Sequence, residues 1–146
     1  MLIEDEGSVT YRGCFTDSTD EYAVKVPNAH KAMQNNILKE CLIMSCLDDC
    51  PNIVQVENFE IGNGSLKYIK KTQMPEHDDT SSYICMEMPK YGTLAGLIRS
   101  TGGIENEFLL KSLFKQVCRG LDALHTEAGY AHLDLKTENI FIGADL

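Results

Sequence analysis

Residues 130–139 read Tyr-Ala-His-Leu-Asp-Leu-Lys-Thr-Glu-Asn, and they constrain this chain more than any other stretch. Asp134 can orient a hydroxyl and accept its proton. Lys136, two residues on, can neutralise charge on a phosphoryl group in flight. Asn139 offers a neutral oxygen to a divalent cation. Together they suit phosphoryl transfer, where catalysis is mostly positioning and electrostatic stabilisation. Taken alone, the stretch is also an ordinary polar turn between a helix and a strand, so the rest of the chain has to decide.

The upstream sequence supplies further pieces. Tyr22-Ala23-Val24-Lys25-Val26 is a short β-type run with a lysine at its centre. Ala23 and Lys25 share one face, Val24 and Val26 the other. A small residue beside a cation leaves room for a flat ring and holds a phosphate nearby. In most such strands the lysine simply points to solvent. Further on, residues 37–44 read Ile-Leu-Lys-Glu-Cys-Leu-Ile-Met, with a helical apolar period. Glu40 falls on the face of Ile37 and Met44, where a lone carboxylate is costly unless paired.

These segments resemble, in order, the motifs of the eukaryotic protein kinase domain of the Ser/Thr type. Residues 130–139 resemble its catalytic loop, His-Arg-Asp-Leu-Lys-Pro-Glu-Asn. Tyr22–Val26 is similar to its Val-Ala-Ile-Lys strand. Cys50-Pro51-Asn52-Ile53-Val54 resembles its His-Pro-Asn-Ile-Val segment, and residues 83–94 its gatekeeper strand and hinge. The resemblance implies an α+β fold. An antiparallel five-stranded sheet and the family's helix C form the N-lobe and hinge (1–88). Helices D and E and the catalytic loop open a mainly helical C-lobe (89–146). It implies ATP and Mg²⁺ as cofactors and a protein with a Ser/Thr acceptor as partner. Asp134, Lys136 and Asn139 are then catalytic, with Asn139 also the metal ligand. Gly7, Val9, Ala23, Lys25, Glu40, Met86, Glu87, Met88 and Phe141 are the cofactor-binding set. Lys25 would pair with Glu40, Met86 would be the gatekeeper, and the backbone of Glu87 and Met88 would meet the adenine edge. Lys136 is what favours Ser/Thr specificity.

The secondary structure is expected to follow. Residues 31–47 read as helix C, 53–61 as a strand, 93–100 as helix D and 105–127 as helix E. Leu110, Leu113, Phe114, Val117, Leu121 and Leu124 form the apolar stripe of helix E. Ile140-Phe141-Ile142 should be a strand. Residues 62–82 read as an inserted surface loop, with Asn63-Gly64 as a turn signal and Leu66–Tyr68 alternating like a strand.

Three departures qualify the resemblance. Of the family's phosphate-loop glycines only Gly7 is matched; the first two positions carry Leu2 and Glu4, and a glutamate there would repel a triphosphate. Leu133 replaces the usual arginine. The sequence ends at Leu146, before an Asp-Phe-Gly metal motif. The expectation is a C-terminally incomplete domain, inactive by itself, with a partner or self-association through the uncovered helix E face. The alternative is a pseudokinase or nucleotide-binding scaffold without turnover.

Bulk properties exclude little else. The net charge of −9 argues against a nucleic-acid partner, which would need a basic face. No apolar run is long enough to span a membrane. The six cysteines form no C-x-x-C pair, and the chain starts without an apolar leader segment. A reduced, cytoplasmic (intracellular) setting, the nucleus included, is expected.

Overall fold

The computed structural model describes residues 3–5, 8–14, 19–27, 31–61, 66–69 and 82–143. The chain forms two compact units. The first comprises Met1–Asp48 and Gln55–Met88, the second Asp49–Val54 and Pro89–Leu146.

The first unit is a six-stranded sheet with one helix. Its strands are β1 (Ile3–Asp5), β2 (Ser8–Cys14), β3 (Glu21–Pro27), β4 (Val56–Ile61), β5 (Leu66–Ile69) and β6 (Tyr83–Glu87), and the helix is α1 (Lys31–Cys46). The sheet order is β1-β2-β3-β6-β4-β5, and every pairing is antiparallel. The expected five-stranded sheet thus carries a sixth strand. It comes from the insertion: Leu66–Ile69 pairs back on β4 with Asn58 opposite Ile69 and Ile61 opposite Leu66. The alternation at 66–68 was the local signal for it. The Asn63-Gly64 turn lies outside the described residues.

Cross-strand partners share a face of a sheet. Ala23 pairs with Met86 and Met86 with Val56; Lys25 pairs with Ile84 and Ile84 with Phe59. Ala23, Ile84, Met86, Val56 and Phe59 are all buried on this face, and Tyr22, Asn58 and Cys85 are buried on the other. Val56 and Phe59 are three residues apart and would face opposite ways in a regular strand. A bulge between Val56 and Asn58 restores the phase. The helix contributes Ile37 and Cys41, one turn apart and both buried, and Leu47 follows just beyond its end. Burial, together with the neighbouring Glu40 carboxylate, pushes the Cys41 thiol up to about 12.

The second unit holds α2 (Leu94–Thr101) and α3 (Glu107–Thr126). Each starts on a side-chain cap. Thr93 Oγ1 accepts from the N–H of Gly96 at 3.1 Å, and Asn106 Oδ1 from that of Leu109 at 3.1 Å. α2 ends at Gly102, whose φ of 77° is the left-handed conformation that closes a helix. The expected strand at 140–142 is reduced to a bridge, Thr93 opposite Phe141, flanked by hydrogen bonds from Leu94 N to Ile140 O and from Ile142 N to Gly92 O.

The strand expected from residue 53 starts only at Val56, because Asp49–Val54 packs on α3. Asn52 Nδ2 donates to Gln116 Oε1 at 3.1 Å, and Cys50 Sγ to Glu127 Oε2 at 3.3 Å. Asp49 (φ 61°) and Asn52 (φ 65°) take left-handed backbone to make the turn, a conformation Asn and Asp tolerate. Gly120 permits the approach: a Cβ there would lie 2.6 Å from Asn52 O. The α3 stripe is divided. Leu113, Gly120 and Leu124 are buried, whereas Leu110 (49 %), Phe114 (69 %) and Phe108 (83 %) are exposed.

Candidate functional site

The candidate residues fall into two clusters, one in each unit. In the first, Lys25 rises from the middle of β3 and Glu40 from α1. Lys25 Nζ donates to both carboxylate oxygens of Glu40 at 2.8 Å. The side chains are 21 % and 37 % exposed, so the pair is partly screened and its worth lies more in aiming the ammonium than in stability. Ala23, two residues before Lys25 on the same face, is buried and leaves the surface beside the lysine low. Val9 stands on β2 opposite Val26, half-buried. Gly7 lies outside the described residues.

Met86 is buried next to Ala23 in the sheet register. Glu87 is fixed in a way the sequence did not suggest. Its N–H donates to Gln55 O at 3.0 Å, and its Oε1 accepts from Gln55 N at 2.9 Å. Met88 follows, half-buried.

In the second cluster the loop folds onto itself around Asp134. Asn139 Nδ2 donates to Asp134 Oδ2 at 2.9 Å and to Asp134 O at 2.8 Å. Lys136 Nζ lies 3.0 Å from the same Oδ2. One 3₁₀ turn, Thr137–Asn139, brings Asn139 back, closed by its N–H to Lys136 O at 2.9 Å. Lys136 above all holds the Asp134 carboxyl below the usual carboxylate range; desolvation opposes it, and Asn139 adds to the lowering. Ahead of it, the Asp134 N–H donates to His132 O at 2.9 Å. Between them Leu133 has φ 62° and is 94 % exposed. A left-handed leucine costs about 1–2 kcal/mol, so the turn that presents Asp134 is strained. Phe141 is half-buried at the bridge to Thr93.

The donor set suits a hard cation only in part. Asn139 commits its amide nitrogen to Asp134, which turns its carbonyl oxygen to the other side of the amide. Mg²⁺ takes oxygen ligands and completes its shell with water and substrate phosphates. Among the described residues no group of three His, Cys, Asp or Glu side chains is placed to hold a metal by itself. Asn139 can therefore offer a cation its carbonyl oxygen only as one ligand among several. No described helix is long and apolar enough to cross a membrane.

Comparison with known proteins gives a consistent result. The protein kinase domain family model matches residues 5–145. The chain is 28 % identical over 130 residues to mitogen-activated protein kinase kinase kinase 18 of Arabidopsis thaliana, covering 87 % of this chain and 34 % of that protein. It is 26 % identical over 129 residues to the serine/threonine-protein kinase ArnS of Sulfolobus acidocaldarius, covering 83 % and 20 %. To serine/threonine-protein kinase 16 of Rattus norvegicus it is 29 % identical over 125 residues, covering 84 % and 37 %. The chain thus spans about a third or less of the length of these relatives. With the family model matched over nearly all of its length, on an antiparallel sheet with a Lys–Glu pair and a self-bonded Asp-Leu-Lys loop, the chain belongs to the protein kinase domain family.

Proposed function

We propose that this chain serves an ATP-dependent protein serine/threonine kinase that moves the γ-phosphate to a protein hydroxyl. The observation that carries the reading is the loop in which Asp134, Lys136 and Asn139 converge on one carboxylate oxygen. Asp134 orients the acceptor hydroxyl and takes its proton. Lys136 moves to the transferring phosphoryl group and offsets its charge. Asn139 gives a neutral oxygen to Mg²⁺, which when bound supplies counter-charge to the phosphates. Lys25, aimed by Glu40, holds the α- and β-phosphates, and Ala23 with Val9 borders the adenine. The setting proposed is intracellular, supported by six cysteines of which none is joined in a disulfide.

The test is transfer of radiolabelled γ-phosphate from ATP to a protein substrate, measured on the complete protein that carries this chain. Asp134→Asn is expected to reduce transfer by about 10²–10⁴-fold and to leave ATP affinity unchanged. Transfer at the wild-type rate in Asp134→Asn would sink the assigned role.

A second reading, a nucleotide-binding scaffold without turnover, is favoured by Leu133 in the arginine position and Glu4 in a glycine position. Calorimetric binding of Mg-ATP with no transfer to any substrate would select it.

A further inference from the structure

The sheet has two edges, and their sequences carry opposite charge. β1 (Ile3–Asp5) forms one edge and β5 (Leu66–Ile69) the other, and among the described residues no strand pairs with the outer side of either. β1 reads Ile-Glu-Asp, with two acids and no base. β5 reads Leu-Lys-Tyr-Ile, with one base and no acid. An open edge is a row of unmet N–H and C=O groups that a further strand can take up. Charge of one sign on both edges would hold copies apart, because like charges directly opposite are destabilising. Opposite signs do the reverse.

The register makes the two edges fit each other. One row of cross-strand partners runs through all six strands: Ile3, Thr10, Lys25, Ile84, Phe59 and Tyr68. Every pairing is antiparallel and the number of strands is even, so β1 and β5 run in opposite directions. A second copy stepped along that row, with only the ordinary sheet twist, brings its β1 antiparallel to β5 and Ile3 opposite Tyr68. Both positions lie on one face, so the pleat continues. The alternation of hydrogen-bonded and non-hydrogen-bonded pairs along a row also closes on itself after six strands, so the new pair falls in phase. In that register Glu4 stands opposite Lys67. Pairing of like edges lacks the match: β1 on β1 centres Glu4 on Glu4, and β5 on β5 gives Lys67 no acid.

We propose that copies of this chain join head to tail, the basic β5 edge of one taking the acidic β1 edge of the next as a seventh strand. The contact is heterologous and leaves one edge open at each end, so the assembly grows with concentration instead of stopping at a dimer. Three residue pairs make it weak.

The test is light scattering and sedimentation of the chain over a dilution series up to about 1 mM. The apparent mass of the wild type is expected to rise with concentration. Lys67→Glu and Glu4→Lys should each weaken association by about three- to tenfold. An equimolar mixture of the two variants should regain it, since each then offers the edge that the other needs. That recovery also shows that both variants are folded. A wild type still monomeric at about 1 mM, association unchanged by either substitution, or a mixture no larger than its parts would each overturn the proposal. Association indifferent to both charges is what contact through the exposed Phe108 and Phe114 of α3 would give.

Discussion

Asp134 and Lys136 are coupled through one oxygen, and that coupling sets a pH dependence. Because Lys136 and Asn139 hold the Asp134 carboxyl below the usual range, it is ionised at neutral pH and protonates only as the pH falls through that lowered value. Any stability it contributes runs the same way, present above the unfolded-state pKa and lost on acidification. In Lys136→Ala the first cause is gone, so the carboxyl titration followed by NMR should move upward, toward an ordinary aspartate. An unmoved titration would mean that the 3.0 Å contact does not persist in solution. The chemical residues were legible in the sequence because side-chain type alone carries their function. Leu133 was legible as a substitution but not as a strained left-handed residue, since backbone angles at a leucine leave no compositional trace. The Gln55–Glu87 brace left no trace for a related reason. One of its two bonds runs between main-chain groups, and any residue but proline could donate it.

Among the elements, α3 shows how propensity and packing compete. Alanine at an exposed helix glycine gains about 1 kcal/mol. At Gly120 the added Cβ would meet a backbone oxygen at 2.6 Å, and backbone yields less readily than a side chain. Gly120→Ala is therefore expected to destabilise by about 1–3 kcal/mol despite its better helix propensity, read as a lower midpoint in urea. A raised midpoint would mean that Asp49–Val54 does not rest on the helix. The cap is an independent check: Asn106→Ala should cost about 1 kcal/mol by freeing the Leu109 N–H. The periodicity of α3 made the helix readable, but not which apolar residues it buries. Leu113 and Phe114 are neighbours in one stripe, yet one is buried and the other 69 % exposed. Consecutive helix positions point about 100° apart, so which of the two is buried depends on what packs against the helix. The β4 bulge is similar: it exists to bring Val56 and Phe59 to one face, a demand set by β6 and invisible within β4 itself.

For the whole molecule, the cysteines and one tyrosine report on folding. Cys41 and Cys85 are buried, whereas Cys14, Cys46 and Cys118 are exposed. A thiol reagent at pH 8 is expected to label the exposed three rapidly and Cys41 and Cys85 only on unfolding, as peptide mass mapping would show. Rapid labelling of Cys41 would contradict the packing of α1 on the sheet. Burial also pushes Tyr83 up to about 12, helped by Glu60 and Cys85, as it does Cys41. Raised folded-state values favour the protonated forms. Their contribution is complete below the unfolded-state values, 9.0 for the thiol and 10.0 for the phenol, and is lost as the pH climbs toward 12. Stability in alkaline urea titrations should therefore fall across that window, by up to about 1.4 kcal/mol per pH unit for each group. The sixth strand belongs to this scale too. The expected sheet came from the family pattern, and only pairing with β4 turns a locally weak alternation at 66–69 into a strand.

The membership of Asp49–Val54 in the second unit has a practical corollary for anyone dissecting the protein. The polypeptide passes from one unit to the other after Asp48, after Val54 and after Met88, so no single cut separates them cleanly. A piece ending at Met88 would carry six residues whose packing partners, Gln116, Gly120 and Glu127, are on the other piece. A piece starting at Pro89 would display an open notch at Gly120 where the Asn52 carbonyl belongs. Mixed together, two such pieces have a built-in plug and socket, which makes the chain a natural candidate for fragment complementation, with the loop at 49–54 as the recognition element.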